Sequence, residues 1–312
     1  MRQTSVSQLF EQVRERLQLT HVCGTLERKI SVTEDRVWPA DLVGHLNLIH
    51  PERFQILGVA EVAWARRQAA QKVIHYVTEI LSARPPALIV ADGCDVPGLI
   101  EKSCRDADVA LFTSPHPAAS IVDQLRLLLS RELADRTSLH GVFMDVLGLG
   151  VFITGDSGAG KSELALELIS RGHGLVADDM VEFSRIAPTV LEGRCPELLK
   201  NYLEVRGIGI LNIRTIFGET ACRRKMRLKL VVYLQRRTPG EGDPTRLPIE
   251  QETMEILGVP VRKMVIPVAA GRNIAVLLEA AVRSTILQLR GIDTTQEFIA
   301  RQRALLVADN PE

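Results

Sequence analysis

The run Gly150-Val151-Phe152-Ile153-Thr154-Gly155-Asp156-Ser157-Gly158-Ala159-Gly160-Lys161-Ser162-Glu163 constrains this chain more than any other segment. Val151, Phe152 and Ile153 form an apolar, partly β-branched run that stops at Gly155, as a buried strand does. After Ser162, the residues Leu164, Ala165, Leu168 and Ile169 recur at helical spacing until Gly172 and Gly174 end the pattern. Between strand and helix lies a complete Walker A sequence, Gly155 to Ser162. Its glycines let backbone N–H groups close around an anion, and the helix that follows points its positive end at the same place. Lys161 adds a mobile positive charge for outer phosphates, and the Ser162 hydroxyl is a hard oxygen ligand for Mg²⁺. The cofactor-binding set is therefore Gly155, Asp156, Ser157, Gly158, Ala159, Gly160, Lys161 and Ser162.

A chain of 312 residues is long for one hydrophobic core, so two domains are expected. The first part alternates helical and strand patterns. Phe54 to Ala60, Ala87 to Ala91 and Val109 to Thr113 read as strands, and Val62 to Leu81 and Ala118 to Leu133 as helices. This is an α/β layout. The polar stretch around Ala134-Asp135-Arg136-Thr137-Ser138 separates it from the phosphate-loop part. The chain thus divides into an N-terminal α/β domain, residues 1–133, with no catalytic constellation, and a catalytic domain, residues 134–312. Further on, Gly174 to Ala177, Leu228 to Leu234 and Val265 to Val268 read as strands. Asn273 to Leu289 and Thr295 to Leu306 read as helices, the second carrying Phe298, Leu305 and Leu306.

Lys plus Arg and Asp plus Glu both number 38, a balance that argues against a nucleic-acid binder. The basic cluster Arg223, Arg224, Lys225, Arg227 and Lys229 leads into an apolar run and reads as the solvated start of a strand. The five cysteines show neither a C-x-x-C pair nor zinc spacing, and no apolar run reaches membrane-spanning length, so a reduced, cytoplasmic, unanchored protein is expected.

Four further segments carry candidate chemistry. Leu175-Val176-Ala177 ends in Asp178 and Asp179, and such a carboxylate can serve as general base, hold Mg²⁺, or cap a turn; spacing leaves all three open. Leu203-Glu204-Val205-Arg206-Gly207-Ile208-Gly209-Ile210-Leu211-Asn212 sets an acid and an arginine beside flexible glycines, suited to metal and phosphate. Arg246 lies in a Gly- and Pro-rich loop from Pro239 to Pro248. Pro267-Val268-Ala269-Ala270-Gly271-Arg272-Asn273 offers another arginine. A small-molecule kinase, or a nucleotide-switched binding module, remains compatible with these residues alone.

Taken together, the motifs resemble the HPr kinase/phosphorylase family through almost the whole chain. The matching text includes His140-Gly141-Val142, the Gly155 to Glu163 loop, Arg171-Gly172-His173, Leu175 to Asp179, Leu203 to Asn212, Ile213 to Gly218 and Pro267 to Asn273. Leu42 to His45 and Ile56 to Glu61 match in the N-terminal part. The resemblance implies a phosphate-loop kinase domain with a phosphoenolpyruvate-carboxykinase-like nucleotide-binding fold. It further implies a homohexamer that phosphorylates a serine of the phosphocarrier protein HPr with ATP or pyrophosphate and Mg²⁺. Inorganic phosphate reverses the reaction, releasing pyrophosphate. By the same resemblance Asp179 is the base, His140 an active-site histidine that tunes it, and Lys161 the phosphate ligand. Ser162 and Glu204 hold the metal, Arg246 stabilises the transferring charge, and Pro267 to Arg272 serve dephosphorylation. His173 is expected to be structural. This chain carries Thr245 before Arg246 where relatives commonly have aspartate, and Ala269-Ala270 where many have arginine and proline.

Overall fold

The structure is a computed structural model that describes residues 3–32, 38–236, 252–269 and 271–309. It falls into two compact units, residues 1–134 and 135–312. Both are α/β, as the sequence patterns lead one to expect.

The first unit runs β1 (Gln3–Ser5), α1 (Val6–Leu17), β2 (Thr20–Cys23), β3 (Lys29–Ser31), β4 (Val43–His45), β5 (Phe54–Leu57), α2 (Val59–Arg67), α3 (Ala70–Ser82), β6 (Ala87–Val90), α4 (Gly98–Asp106), β7 (Ala110–Thr113) and α5 (Ala118–Glu132). Its sheet has the order β2-β7-β6-β5-β4, parallel except for β2 at one edge. Apolar residues occupy every position of β6 because both faces are covered. Ala87 and Ile89 pack with α1 and α5, while Leu88 and Val90 pack with α2, α3 and α4. Asp92, just past β6, locks this layering. Its carboxylate accepts the Val59 N–H at 2.9 Å and the Ala118 N–H at 3.1 Å, so one anion satisfies the first turns of α2 and α5.

Two readings of the sequence shift here. The strand expected to reach Ala60 stops at Leu57, because Gly58 starts α2; a Cβ there would lie 2.7 Å from Asp92 Oδ2. The single helix expected over Val62 to Leu81 is two, separated by extended Gln68 and Ala69. Neither proline nor glycine marks the break, so the hydrophobic period runs through it unaltered.

The second unit runs β8 (Asp135–His140), β9 (Val142–Val146), β10 (Leu149–Gly155), α6 (Lys161–Ser170), β11 (Gly174–Ala177), β12 (Met180–Ala187), β13 (Val190–Arg194), β14 (Tyr202–Val205), β15 (Gly209–Asn212), α7 (Ile213–Phe217), β16 (Lys225–Arg236), β17 (Thr253–Ile256), β18 (Val259–Val268), α8 (Ile274–Leu289) and α9 (Thr294–Asp309). The main sheet follows β11-β9-β10-β16-β13-β12-β8, with β18 also on β16 and β17 on β18. Its middle strands β10, β16 and β18 are parallel, so their carboxyl ends share one edge. Strand β16 is longer than its apolar run: Lys225 to Arg227 pair with β13 before the remainder joins β10. Arg223 binds Asp145 at 2.8 Å and Lys225 binds Glu192 at 2.9 Å, which neutralises part of the basic cluster within the sheet.

Strand β9 divides the core by alternation. Val142, Met144 and Val146 meet α6 and α8, whereas Phe143 turns to the other face, where Phe183 stands edge-on to it and to Phe152. Helices α6 and α8 are tied by Glu279, which accepts from Arg171 Nε at 2.9 Å and Nη2 at 3.1 Å and lies 2.9 Å from His173 Nε2. His173 is buried in this contact, consistent with a structural role. The hydrogen bonds from Arg171 and then His173 pull the Glu279 carboxyl down to about 2. On α9, Phe298 is half exposed, and the side chains of Leu305 and Leu306 lie outside the described part.

Candidate active site

The phosphate loop leaves the carboxyl end of β10, the edge of a parallel sheet where ligands of α/β proteins gather. Gly155 is required there. Its φ is +133°, and a Cβ would fall 2.2 Å from the Leu234 carbonyl oxygen of β16. Asp156 fastens the loop to the same strand: Oδ1 accepts from the Tyr233 hydroxyl and Oδ2 from the Arg236 backbone N–H, both at 2.9 Å. The Arg236 bond, then the Tyr233 bond, hold its carboxyl below the usual aspartate range. The Lys161 ammonium donates to the carbonyls of Gly155 at 3.2 Å and Asp156 at 3.0 Å, which keeps it folded over the loop.

Asp178 lies buried against the loop. Its Oδ1 accepts from Ser162 Oγ at 3.3 Å and its Oδ2 from the Glu204 N–H at 2.9 Å. Burial pushes its carboxyl up, against the pull of those donors. Asp179, its neighbour, differs in every respect. It adopts a left-handed backbone, φ 66°, and its side chain is 59% exposed, with Oδ1 3.1 Å from His140 Nδ1. The pair is set by the sheet, since His140 on β8 stands opposite Met180 on β12 and Gly141 N–H donates to the Asp179 carbonyl at 3.1 Å. Gly141 admits no side chain, because a Cβ would meet the Phe152 ring at 2.7 Å.

The hairpin β14–β15 brings the remaining acid. Leu203 and Val205 are buried in the core, so the intervening Glu204 and the next alternate residue, Arg206, turn outward. One open cavity brings together His140, Lys161, Ser162, Asp179, Glu204 and Arg206, with Asp178 in its wall. The Ser162 hydroxyl and the carboxylates of Asp178 and Glu204 in this cavity are hard oxygen ligands of the kind that suits Mg²⁺. Pro267 and Val268 end β18 beside Gln235 and Arg236, on the same edge as the loop. Asn273 caps α8 through a 3.0 Å bond from Val276 N–H. Arg246 and Ala270 lie outside the described residues.

Two site residues, Tyr233 and Arg236, escaped the sequence reading, and a third, Asp178, was named there without a role of its own. Asp178 was indistinguishable from Asp179 in the text, and burial separates them. Tyr233 and Arg236 fall at the end of a run that reads only as a strand. Their signal is positional, the carboxyl end of the strand paired with β10. Among the described residues no helix is long and apolar enough to cross a membrane.

Residues 4–129 match the model for the HPr Serine kinase N terminus and residues 131–302 that for the HPr Serine kinase C-terminal domain. The chain is 74% identical over 306 residues to an HPr kinase/phosphorylase of Aromatoleum aromaticum, covering 98% of both chains. It is 71% identical to one of Azoarcus sp., covering 99% of both, and 58% identical to one of Burkholderia multivorans, covering 88% of this chain and 84% of that one. A solved structure of the Hpr(Ser) kinase/phosphatase from Coxiella burnetii aligns with a TM-score of 0.46 and 34% identity, over 52% of this chain and 98% of that one. Two family models that together span nearly the whole sequence, and relatives of this identity over nearly full length, show that the chain belongs to the HPr kinase/phosphorylase family.

Proposed function

We propose that this protein phosphorylates a serine of the phosphocarrier protein HPr, with ATP or pyrophosphate as donor, and reverses the reaction by phosphorolysis. The observation that carries the reading is the exposed Asp179 carboxylate, 3.1 Å from His140 and in the same cavity as Lys161 and Ser162. In the forward direction Asp179 takes the proton of the serine hydroxyl, whose oxygen then attacks the terminal phosphorus as ADP leaves. In reverse, inorganic phosphate attacks phosphoserine, Asp179 returns its proton to the departing serine oxygen, and pyrophosphate is released. With pyrophosphate as donor the two directions are one reaction run forward and back and share a transition state, so the same group serves both; with ATP the serine side is unchanged and only the leaving group differs. His140 holds the carboxylate in place and answers its charge. Lys161 neutralises charge on the transferring group, and Arg246 is assigned the same task.

Ser162 and Glu204 would hold Mg²⁺, and the 3.3 Å contact of Ser162 with buried Asp178 adds that carboxylate to the set. Bound there, the ion offsets phosphate charge. The segment Pro267 to Arg272 serves phosphorolysis, and Leu203 to Asn212 is a further catalytic segment. Catalysis is assigned to residues 134–312, residues 1–133 form a separate domain, and the assembly is a cytoplasmic homohexamer.

The test incubates the full chain with purified HPr, Mg²⁺ and ATP, then adds inorganic phosphate. Serine-phosphorylated HPr forms first, and phosphate then removes it with stoichiometric pyrophosphate. HPr left unmodified while ATP binds would contradict the reading and point to another acceptor.

A further inference from the structure

Two guanidinium groups converge on the apex of the phosphate loop, Arg206 from the turn between β14 and β15 and Arg236 from the end of β16. A Cβ on Gly158 would stand 3.6 Å from Arg206 Nη1 and 3.7 Å from both terminal nitrogens of Arg236. Four arginines of this unit are answered by acids, Arg171 by Glu279, Arg194 by Glu182, Arg214 by Glu219 and Arg223 by Asp145. Neither Arg206 nor Arg236 makes a side-chain ion pair or hydrogen bond among the described residues. Asp156 directs Oδ2 to the Arg236 backbone N–H at 2.9 Å. Two like charges within reach of one point repel, and an anion placed between them turns that cost into attraction.

The position of Arg236 is fixed by a latch. Asp156 ties the backbone of Arg236 to the loop, and the Tyr233 hydroxyl holds the other Asp156 oxygen. The Tyr233 ring in turn lies under the Lys263 ammonium, 5.3 Å from its centre, and Lys263 is held by Glu252 at 3.0 Å. Arg236 is the last residue of its strand, paired with Val268, so its backbone belongs to the sheet while its side chain reaches the loop.

We propose that Arg236, with Arg206, forms a phosphate-binding clamp over the loop apex that grips inorganic phosphate and pyrophosphate, and that Tyr233 and Asp156 position it. This rests on the reading of the site as one for phosphorolysis. Arg236 touches the anion; Tyr233 acts only through Asp156.

The test is calorimetric titration of the full chain, with Mg²⁺, by inorganic phosphate and separately by pyrophosphate. Loss of one charged hydrogen-bonding partner predicts that Arg236→Gln weakens both ligands by about tenfold or more. Arg236→Lys, which restores the charge without the fork, recovers part of the loss. Tyr233→Phe weakens both by a smaller factor and raises KM for phosphate in phosphorolysis more than it lowers kcat. Lys161→Ala separates the two claims. If it loses binding while Arg236→Gln binds as wild type, the clamp is overturned and the loop assignment stands. If Lys161→Ala binds both ligands normally, the site assignment itself fails. A loss for pyrophosphate alone overturns the claim that the clamp receives inorganic phosphate.

Discussion

Replacing Asp178 by asparagine separates the support of the site from its chemistry. The Asp178 carboxylate accepts from Ser162 Oγ at 3.3 Å and from the Glu204 N–H at 2.9 Å, and it is buried. Asparagine keeps one carbonyl oxygen, which the shorter Glu204 bond claims, and turns its amide NH₂ toward Ser162, whose hydroxyl then accepts. The loss is the difference between charged and neutral hydrogen bonds, about 1–2 kcal/mol. An opposite effect offsets part of it. Burial raises the folded-state pKa of Asp178, so above that pKa the buried charge costs stability, and asparagine removes this cost. The net change is about 1 kcal/mol or less, a melting shift of roughly 2–4 °C for a unit of this size. The rate responds differently, because a carboxylate that backs Ser162, the proposed Mg²⁺ ligand, acts where charge develops. Phosphorylation of HPr falls about 10²- to 10³-fold, about 3–4 kcal/mol, and its Mg²⁺ requirement rises. Thermal melting and a Mg²⁺ titration of the initial rate read both quantities on one sample. A rate within threefold of wild type at unchanged Mg²⁺ dependence would refute this role for Asp178, and so would a collapse of the fold.

Three other outcomes follow from the geometry. Because the His140–Asp179 pair is exposed, His140→Ala leaves the melting temperature nearly unchanged but lowers kcat about 10- to 100-fold with little change in KM for ATP, measured by steady-state kinetics. Glu279→Gln breaks the charged tie between α6 and α8 and costs about 1–3 kcal/mol, read from urea unfolding. Since the folded-state pKa is depressed from 4.5 to about 2, wild type holds that stabilisation above pH 4.5 and loses it as pH falls toward 2; the variant flattens this acid limb. Asp92→Ala frees the starts of α2 and α5 and lowers the stability of the first unit by about 1–2 kcal/mol. Both tryptophans of the chain, Trp38 and Trp64, belong to that unit, so their fluorescence reports the shift.

What the sequence made legible is what is encoded locally. The phosphate loop requires glycines, a lysine and a serine within a few residues, and the flanking periodicities fix its strand and helix. Apart from the resemblance that names Asp179 as base, the residues themselves did not separate the roles of Asp178 and Asp179, because adjacent residues with one side chain differ only through long-range partners. Ser162 and Glu204 bury one, while His140, brought over by the β8–β12 pairing, meets the other. Arg236 likewise gains its meaning from the parallel pairing of β16 with β10 across a large sequence separation. The break at Gln68 and Ala69 has no local signal, and packing of two short helices on one sheet face overrides a continuous period.

The central claim is that one exposed carboxylate moves the proton in both directions. The most direct measurement is single-turnover transfer to HPr from ATP, and from phosphoserine-HPr to inorganic phosphate, with wild type and Asp179→Asn. The account predicts that the variant binds ATP and phosphoserine-HPr normally yet loses both reactions by a similar factor, about 10²-fold or more. Retention of either reaction at near wild-type rate would contradict it.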